Sequence, residues 1–596
     1  MGAGIEARVG PSEIRLRNQS LEAQAVEPAY DLSGAEILVR ALAEQGVKTL
    51  FGIPGGAVLG LADAVGRYGR FRWILTKHEQ GATHAADGYA RYSGRVGVVL
   101  VTSGPGSTNT VTGIATAYMD SSPIVVLTGQ VPLPMVGNDA FQEVDTIGVT
   151  RPITKHSFLL RSPNDIADTV RKAFYIAGSG RPGPVVIDMP KDVLAAHGDY
   201  IPSAEIVVRG YKPKIFGHAH QISRAAERIN RARRPVLYIG GGVVASGASD
   251  LVRRLAIENR IPVTSTLMGL GAFPSDHPLW LGMLGMHGTW TANMAVQTAD
   301  LIIAIGARFD DRVTGRVADF APQADIIHID IDSSVIGRNV QVDIPIVGDA
   351  RHVLIDLVPL VKGPDTKEWL EQIERWRQDH PLRYDRESQA VKPQYVIEKL
   401  AEVTDGEAVI VTDVGQHQMW TAQFYRFKHP RTIITSGGLG TMGFGLPAAM
   451  GVAIAQEDGA PRRPVVAIVG DGGFQMTMEE LITAVAYRVP VKVFVINNGY
   501  LGMVRQWQEL FFGRRYVASD LRQANPDLAR VAESMGAMGL RVERREEVQP
   551  AIEKALSCDS GPVVIDFRVD GQENVFPMVP AGAALHEMIE ARPSDK

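Results

Sequence analysis

The sequence predicts an α/β protein built from three doubly wound, parallel-sheet domains, with the first and third related as a duplicated unit. From Leu32 onward, short β-branched runs alternate with Ala-rich segments of helix length, and Gly and Pro separate them. Residues 202–217 hold two prolines without a helical period, and residues 362–393 are dense in charge, so these stretches divide the chain into three parts. The segment VVLVTSGPG at 98–106 aligns with VVAIVGDGG at 465–473, an offset of 367 residues. Such a match indicates a repeated strand, glycine turn and helix.

A second alignment supports the duplication but rests on small residues alone. It places AADGYA at 85–90 over AAMGVA at 448–453, which sets Glu79 opposite Met442. The alternative is that two unrelated parallel α/β domains share the same pattern of strands and turns.

Composition excludes several classes of protein. The 596 residues carry 61 Lys and Arg against 66 Asp and Glu, so the formal net charge is −5, which argues against nucleic acid or an anionic membrane as the main partner. No apolar run reaches the roughly 18 residues that a membrane-spanning helix needs. The single cysteine, Cys558, is interpreted as an inert buried thiol in a reducing, cytoplasmic compartment. Residues 1–30 lack the apolar core of a signal peptide and are expected to form a disordered extension.

The sharpest candidate site lies in the last third of the chain. Gly470, Asp471 and Gly472 end one predicted strand, and Asn497 and Asn498 end the next. The glycines let a ligand approach the backbone, and the free amides of the following helix attract an anion such as a diphosphate. Asp and Asn oxygens on adjacent strand ends suit Mg²⁺, whose remaining ligands are waters and phosphate oxygens. The alternative is an ordinary glycine turn next to an Asn-capped loop.

Two further motifs are weaker. Gly438, Gly440 and Gly443 in GLGTMG match the GxGxxG dinucleotide fingerprint, but the duplication places this turn opposite Glu79, and so at a cleft, not on a phosphate. The HExxH zinc-protease motif fails because Ala82 stands where its second His is required. Glu79 itself is either a helix-start residue or a carboxylate directed into the cleft.

The middle domain has the features of a nucleotide site. Asp330 and Asp332 follow a predicted strand and could hold ribose hydroxyls, and the glycines at 240–242 could cradle a second pyrophosphate. In ARFDDRVTG, Arg308 and Arg312 could clamp a carboxylate or phosphate, or form a surface ion-pair cluster with the neighbouring aspartates.

Taken together, the GDG turn and the Asn pair resemble the thiamine diphosphate enzymes. The fuller set of segments is similar to the catalytic large subunits of the acetohydroxyacid (acetolactate) synthase family and runs from about residue 31 to 588. These segments are FGIPGGAV, KHEQGATHAADGYAR, TSGPGSTN, AYMDSSPIVVLTGQVP, DAFQEVD, GRPGPVVIDMPKDV, GARFDDRVTG, VGQHQMW, SGGLGTMGFGLPAA, GDGGFQMT and GMVRQWQ.

The resemblance implies a domain plan. It comprises a pyrimidine-binding domain at 31–201, a central FAD-associated domain at 218–361, a diphosphate- and magnesium-binding domain at 393–580 and a C-terminal tail at 581–596.

The resemblance also implies roles for individual residues. Glu79 would hydrogen-bond N1′ of the cofactor pyrimidine and act in catalysis with Gln142 and Lys191. Mg²⁺ would be held by Asp471, Asn498 and the carbonyl of Tyr500. Thiamine diphosphate would contact Glu79, Gln416, His417, Gly440, Met442, Asp471, Gly472, Gly473, Asn498 and Met503. Substrate would contact Gly56, Phe141, Arg312, Met503 and Trp507. FAD would lie along Arg181, Gly241, Thr266, Leu267, Met286, His287, Gly306, Arg308, Asp310, Arg312, Asp330 and Asp349.

The implied activity is that of a transferase in branched-chain amino acid biosynthesis, leading to isoleucine and valine. Pyruvate would be decarboxylated on thiamine diphosphate and its two-carbon unit joined to a second 2-keto acid, giving 2-acetolactate from pyruvate or 2-aceto-2-hydroxybutyrate from 2-ketobutyrate. Each active site would form between two chains of a homodimer or homotetramer, and a regulatory small subunit is expected.

Four rival functions follow from the same residues. Glyoxylate carboligase resembles this chain but lacks the carboxylate of Glu79, and the FAD-free catabolic acetolactate synthase lacks the RFDDRVTG signature. An NAD-dependent oxidoreductase would use GLGTMG, and a non-catalytic flavin- or nucleotide-binding protein would use only the middle domain.

Overall fold

The computed structural model describes residues 27–203 and 205–591, so most of the predicted extension, residues 1–26, lies outside the described residues. The prediction that the extension continues to residue 30 is wrong at its end, because Ala29 and Tyr30 belong to a strand. That strand pairs antiparallel with residues 197–200, so backbone hydrogen bonds hold the start of the first domain.

The first domain is built on a parallel six-stranded sheet. Its strands and those of the small antiparallel pair are β1 (Ala29–Ser33), β2 (Thr49–Gly52), β3 (Arg72–Leu75), β4 (Gly97–Val101), β5 (Ile124–Gln130), β6 (His156–Leu159), β7 (Val185–Pro190) and β8 (His197–Tyr200). Its helices are α1 (Gly34–Glu44), α2 (Leu59–Tyr68), α3 (Glu79–Ser93), α4 (Pro105–Thr108), α5 (Val111–Met119), α6 (Thr146–Thr150), α7 (Ile166–Gly178) and α8 (Lys191–Ala195). The sheet order is β3-β2-β4-β5-β7-β6. Both faces are covered, because Val98 and Leu100 of β4 join one apolar cluster and Val99 and Val101 join another.

The central domain has a sheet of the dinucleotide-binding order. Its strands are β9 (Pro235–Ile239), β10 (Val263–Ser265), β11 (Trp280–Met283), β12 (Leu301–Ile305), β13 (Asp325–Asp330) and β14 (Ile344–Val347). Its helices are α9 (Ala219–Arg231), α10 (Gly241–Ala245), α11 (Ser249–Asn259), α12 (Trp290–Thr298), α13 (Asp311–Thr314), α14 (Ala350–Leu357) and α15 (Lys367–Asp379). The parallel order β11-β10-β9-β12-β13-β14 places the switch point between β9 and β12, where ligands bind in open sheets of this kind.

The charged stretch at 362–393 is more than a linker. It contains α15, which buries Trp369 and Ile373 against the central domain, in one cluster with Ile302 of β12. Because these two residues are four positions apart, they lie on one face of the helix, and the charged residues cover its exposed faces.

The third domain repeats the strand order of the first. Its strands are β15 (Val409–Thr412), β16 (Ile433–Thr435), β17 (Val465–Gly470), β18 (Lys492–Asn497), β19 (Met538–Val542) and β20 (Val563–Arg568). Its helices are α16 (Pro393–Val403), α17 (Gln416–Phe424), α18 (Gly445–Glu457), α19 (Asp471–Met476), α20 (Glu480–Ala486), α21 (Gly502–Phe511), α22 (Leu528–Ser534) and α23 (Val548–Leu556). The parallel order β16-β15-β17-β18-β20-β19 matches the order of the first sheet strand for strand, which confirms the predicted duplication.

The two copies pack through equivalent helices, α3 and α18. A Cβ added to Gly88 would lie 2.1 Å from the carbonyl oxygen of Ala448, and one added to Gly451 would lie 1.8 Å from the carbonyl oxygen of Ala85. Both partners are related by the predicted offset of 363 residues, since 85 aligns with 448 and 88 with 451. The small residues of the weaker alignment are therefore the contact surface of a pseudo-symmetric helix pair.

The described part of the predicted tail, up to residue 591, is packed. Leu585 is buried in the same apolar cluster as Ile302, and Met578 and Ile589 form an antiparallel bridge. The interpretation of Cys558 as a buried thiol is wrong, because the residue is partly exposed beside Ser560 at the end of α23. Within the described ranges, no helix is long and apolar enough to cross a membrane.

Candidate active site

Asp471 lies at the carboxyl edge of the third sheet. It follows β17 as the first residue of α19, and its side chain is almost fully buried. Burial raises the pKa of Asp471 to about 6, and a hydrogen bond from the side-chain amide of Asn525 to its carboxylate opposes that rise. Buried charges in proteins are either paired or coordinate metals, so a buried carboxylate at this edge is a good ligand for a cation.

Asn498 follows the neighbouring strand β18 and faces the same cradle. Its Oδ1 accepts the backbone N–H of Tyr500 at 3.0 Å, which fixes the two predicted metal ligands in one turn. Its Nδ2 donates to Oε1 of Gln416 at 3.1 Å. The other member of the pair, Asn497, instead donates to the carboxylate of Asp566 at 2.9 Å, so only one Asn of the pair belongs to the cradle.

A small cavity of about 60 Å³ joins the predicted diphosphate residues. The chemistry of this cavity fits a ligand at His417, because its Nε2 is buried without a hydrogen-bond partner among the described residues. Burial lowers the pKa of His417 to about 3, so the ring is neutral. The cavity is lined by Gln416, His417, Met442, Asp471, Gly472, Gly473, Asn498, Tyr500 and Met503. Within the described ranges, no group of three or more His, Cys, Asp and Glu side chains could hold a metal.

Glu79 is both a helix-start residue and a buried carboxylate. It is the first residue of α3 and is 9% exposed, and its Oε2 accepts a hydrogen bond from Nδ2 of Asn109 at 2.9 Å. Gly106 approaches its other side, since a Cβ there would lie 3.6 Å from Oε1. Glu79 lines neither of the two cavities described here.

The predicted substrate-side residues of the first domain gather at the carboxyl edge of its sheet. Gly56 follows β2, and Lys191 follows β7. The backbone of Gln142 packs on the turn at Gly104, where a Cβ would lie 2.8 Å from its carbonyl oxygen. Phe141 is 88% exposed. These residues share an edge with Glu79 but line neither cavity, so the single chain does not bring them to the Asp471 cradle.

A second, much larger cavity of about 1690 Å³ lies at the switch point of the central sheet. It contains every residue expected to touch FAD, together with Gly440 and Trp507, while Met442 and Met503 line both cavities. The FAD set comprises Arg181, Gly241, Thr266, Leu267, Met286, His287, Gly306, Arg308, Asp310, Arg312, Asp330 and Asp349.

The wall of the large cavity fits a polar ligand. Thr266 Oγ1, His287 Nδ1 and the hydroxyl of Tyr238 are buried there without partners in the described part of the chain. Burial lowers the pKa of His287 to about 4 and raises that of Asp330 to about 6. A buried polar group without a hydrogen bond costs free energy. A ligand that forms hydrogen bonds to these groups would therefore bind more tightly.

Arg308 and Arg312 were predicted either to bind a ligand or to form ion pairs with neighbouring aspartates, and the structure allows both. Arg308 pairs with Asp310 at 2.9 Å and lines the large cavity at the same time. Arg312 is 64% exposed, pairs with Asp311 at 3.5 Å and also lines the cavity. Asp332, a predicted ribose ligand, instead pairs with Arg181 at 3.2 Å.

The GLGTMG turn is held by protein groups. Asp120 accepts the backbone N–H of Gly438 at 2.7 Å, and Asp413 accepts that of Gly443 at 2.9 and 3.0 Å. These amides are therefore not free to bind a pyrophosphate, which disfavours the dinucleotide alternative at this turn.

Comparison with known proteins decides the family. Profiles of the N-terminal, central and C-terminal domains of thiamine pyrophosphate enzymes match residues 32–149, 222–357 and 413–567, the outer two being described as binding thiamine pyrophosphate. The acetolactate synthase isozyme 3 large subunit of Escherichia coli (strain K12) is 48% identical over 568 residues, which cover 94% of this chain and 98% of that protein. The acetolactate synthase of Mycobacterium bovis is 50% identical, covering 94% and 92%, and the large subunit from Corynebacterium glutamicum is 49% identical, covering 93% and 89%.

The chain belongs to the acetolactate synthase family of thiamine pyrophosphate enzymes. This membership confirms the predicted family, the three-domain α/β fold and the dependence on thiamine diphosphate. In this family frame, sequence reasoning missed Asn109 and Asn525, which hold the two candidate carboxylates, and Tyr238 in the large cavity. Asn109 ends the segment TSGPGSTN, but its contact with Glu79, like that of Asn525 with Asp471, joins residues distant in sequence and gives no local signal.

Proposed function

We propose that this chain is an acetolactate synthase that joins the two-carbon unit of pyruvate to a second 2-keto acid, pyruvate or 2-ketobutyrate. One observation supports it most. The buried cradle of Asp471, Asn498 and His417 occurs in a chain that is 48–50% identical to relatives named acetolactate synthase. The domain bounds 31–201, 218–361 and 393–580 and a cytoplasmic location form part of the proposal.

The residues of the small cavity would bind the diphosphate end of the cofactor. Asp471, the side chain of Asn498 and the carbonyl of Tyr500 would hold Mg²⁺, and His417 would contact the diphosphate. When bound, thiamine diphosphate supplies the electron sink for decarboxylation. Met442 lines both cavities and would support the cofactor between them.

Glu79 would accept or give a proton at N1′ of the cofactor pyrimidine. Its Oε2 is already engaged by Asn109, which leaves Oε1 to face the ring. Gln142 and Lys191, at the same sheet edge, would orient the substrate carboxylate and keto oxygen. The exposed ring of Phe141 would cover this edge and exclude water.

The large cavity would hold FAD at the central sheet. Arg312, Met503 and Trp507 line this cavity, and Met503 also lines the small one. These three side chains would select the second 2-keto acid.

The active site would form between two chains. Glu79 and the substrate-side residues line neither cavity of their own chain, so the cradle would meet the first-domain edge of a second copy in a homodimer or homotetramer. Relatives are named large subunits, which supports a regulatory small subunit as partner.

Product analysis tests the reaction. Pyruvate alone should give acetolactate, and added 2-ketobutyrate should give acetohydroxybutyrate, only when both Mg²⁺ and thiamine diphosphate are present. Extracted cofactor should include flavin without nicotinamide. A nicotinamide-dependent redox product, or turnover without thiamine diphosphate, would refute the proposal.

Subunit mixing tests the shared site. Glu79→Gln and Asp471→Asn should each abolish turnover. In a dimer with inter-chain sites, co-expression of the two variants leaves one native site in half of the molecules, so about a quarter of wild-type activity should return. No recovery, with mixed dimers shown by tags on each chain, would place both residues in one chain's site.

A further inference from the structure

Glu480 is a buried carboxylate that crosses from the third domain to the first. It is the first residue of α20 and is fully buried. Its Oε1 accepts the backbone N–H groups of Lys77 and His78, each at 3.0 Å. Its Oε2 accepts the hydroxyl of Thr483 at 2.8 Å, which fixes the rotamer from its own helix. The carboxylate of Glu480 therefore binds the two backbone amides that directly precede Glu79 in the chain.

The helix that it meets is shaped to receive it. A Cβ added to Gly81 would lie 2.3 Å from Oε1 of Glu480, so a larger residue in the first turn of α3 would displace the carboxylate. Burying this group raises the pKa of Glu480 to about 7. The free-energy cost of burying this carboxylate is offset by the hydrogen-bond donors that surround it.

A backbone donor on the other side of Glu79 is also satisfied. His78 caps α3, and its Nδ1 accepts the backbone N–H of Gln80 at 3.1 Å. The backbone is thus held on both sides of Glu79, by Glu480 before it and by His78 after it. Asn109 holds the side chain itself.

We propose that Glu480 is a positioning residue, which holds the backbone turn of Glu79 across the domain contact so that the Glu79 carboxylate meets N1′ of the cofactor. The proposal rests on the function proposed above. A displacement of about 1 Å at a reacting group can cost on the order of 100-fold in rate, so a turn held by two backbone hydrogen bonds matters for catalysis.

Three substitutions separate position from charge. Glu480→Gln keeps Oε1 as an acceptor for both amides, and its Nε2 can donate to the hydroxyl of Thr483, so kcat should stay within about 3-fold of wild type. Glu480→Ala removes the acceptor and should lower kcat by about 10- to 100-fold with little change in KM. Glu479→Ala is the matched control, because Glu479 is partly exposed and makes no capping bond to α20.

Two readouts report on position without relying on turnover. In the cofactor-free protein, the amides of Lys77 and His78 should exchange with deuterium faster in Glu480→Ala than in Glu480→Gln or the control. In the loaded enzyme, exchange of the reactive C2 proton of bound thiamine diphosphate should slow in the Ala variant alone.

The outcomes discriminate clearly. Equal loss in the Gln and Ala variants would overturn the positioning role in favour of a role for the charge, and unchanged amide exchange in the Ala variant would overturn the geometry. If Glu480→Ala does not fold, Glu480→Asp shortens the reach by one methylene, and it should show faster amide exchange with intermediate kcat; wild-type values for both would also overturn the role. Failure of wild-type protein to form acetolactate would instead refute the proposed function and leave the amide-exchange result standing.

Discussion

Replacing Gly451 with Ala tests the contact between the two copies. In α18 this glycine faces the backbone of α3, and the added Cβ would lie 1.8 Å from the carbonyl oxygen of Ala85 and 2.9 Å from the amide nitrogen of Tyr89. An ordinary van der Waals contact to this oxygen begins at 3.4 Å instead of 1.8 Å. The two helices would therefore have to move apart by about that difference. The obstacle is backbone, which cannot turn aside as a side chain can.

The expected loss follows from two opposing effects. Ala in place of Gly within a helix gains about 1 kcal/mol of helix propensity. Overpacking in a close-packed interior costs about 1–3 kcal/mol, and occasionally more. The clash is with a backbone carbonyl group, and Gly88 makes the reciprocal contact in the same interface, so the upper end of this overpacking cost applies. After the gain in helix propensity is subtracted, we expect a net loss of folding stability of about 2 kcal/mol.

Thermal denaturation of the cofactor-free protein measures this. With roughly 2–4 °C per kcal/mol for a domain of 150–250 residues, the apparent melting temperature should fall by about 4–8 °C. Gly66→Ala is the control, because Gly66 lies in α2 with nothing within 4 Å of its Cβ position, and it should gain about 1 kcal/mol. A Gly451→Ala protein as stable as Gly66→Ala would refute the packing argument.

Three further predictions concern the magnesium cradle, the FAD cavity and the pH dependence of stability. Asn525→Ala removes the amide donor to Asp471 and should raise the Mg²⁺ concentration for half-maximal activity by roughly 10- to 100-fold, measured by magnesium titration; an unchanged value would contradict the role. Thr266→Val keeps the shape of a buried side chain whose hydroxyl is unpaired, so FAD affinity in a fluorescence titration should fall by about 3- to 10-fold while the flavin-free protein melts as before. Burial lowers the pKa of His84 to about 4 from 6.5. As the pH falls, His84 therefore takes up its proton in the unfolded chain before it does so in the folded protein. Between about pH 6.5 and pH 4, the wild type should lose up to about 1.4 kcal/mol of folding stability per pH unit. His84→Gln should remove that dependence, so its melting temperature should fall less than that of wild type between about pH 7 and pH 5.

The strands and glycine turns were predictable because each depends on local sequence. The GDG turn and the adjacent Asn pair identified the cradle, whereas the strand order of the sheets came from the structure and agrees with the predicted duplication. The resemblance selected Asn498 of this pair, but the contact that holds Asn497 outside the cradle could not be read from the sequence, because its partner Asp566 lies on a strand 69 residues away. The helix α15 was missed because its apolar positions are few among charged ones, and only packing on the central domain shows their common face.

The partners of the candidate carboxylates are a different matter. Asn109 is 30 residues from Glu79, and Asn525 is 54 residues from Asp471. Asn109 ends the TSGPGSTN segment and Asn525 lies outside the segments of the resemblance, but neither position indicates its partner, so only the fold brings the amide to the acid. Tyr238 resembled a core residue of β9, and its hydroxyl became informative only when the cavity was found beside it.

The two copies hold their equivalent turns in different ways. In the third domain, the turn at Gly443, next to Met442, is held by Asp413 of the same sheet edge. In the first domain, the turn before Glu79 is held by Glu480 from the other domain. A change that loosens the contact between α3 and α18 should therefore disturb Glu79 while leaving Met442 in place. Gly451→Ala should accordingly lower kcat in addition to stability, and Glu480→Ala should add little to that loss, because both act on the same turn.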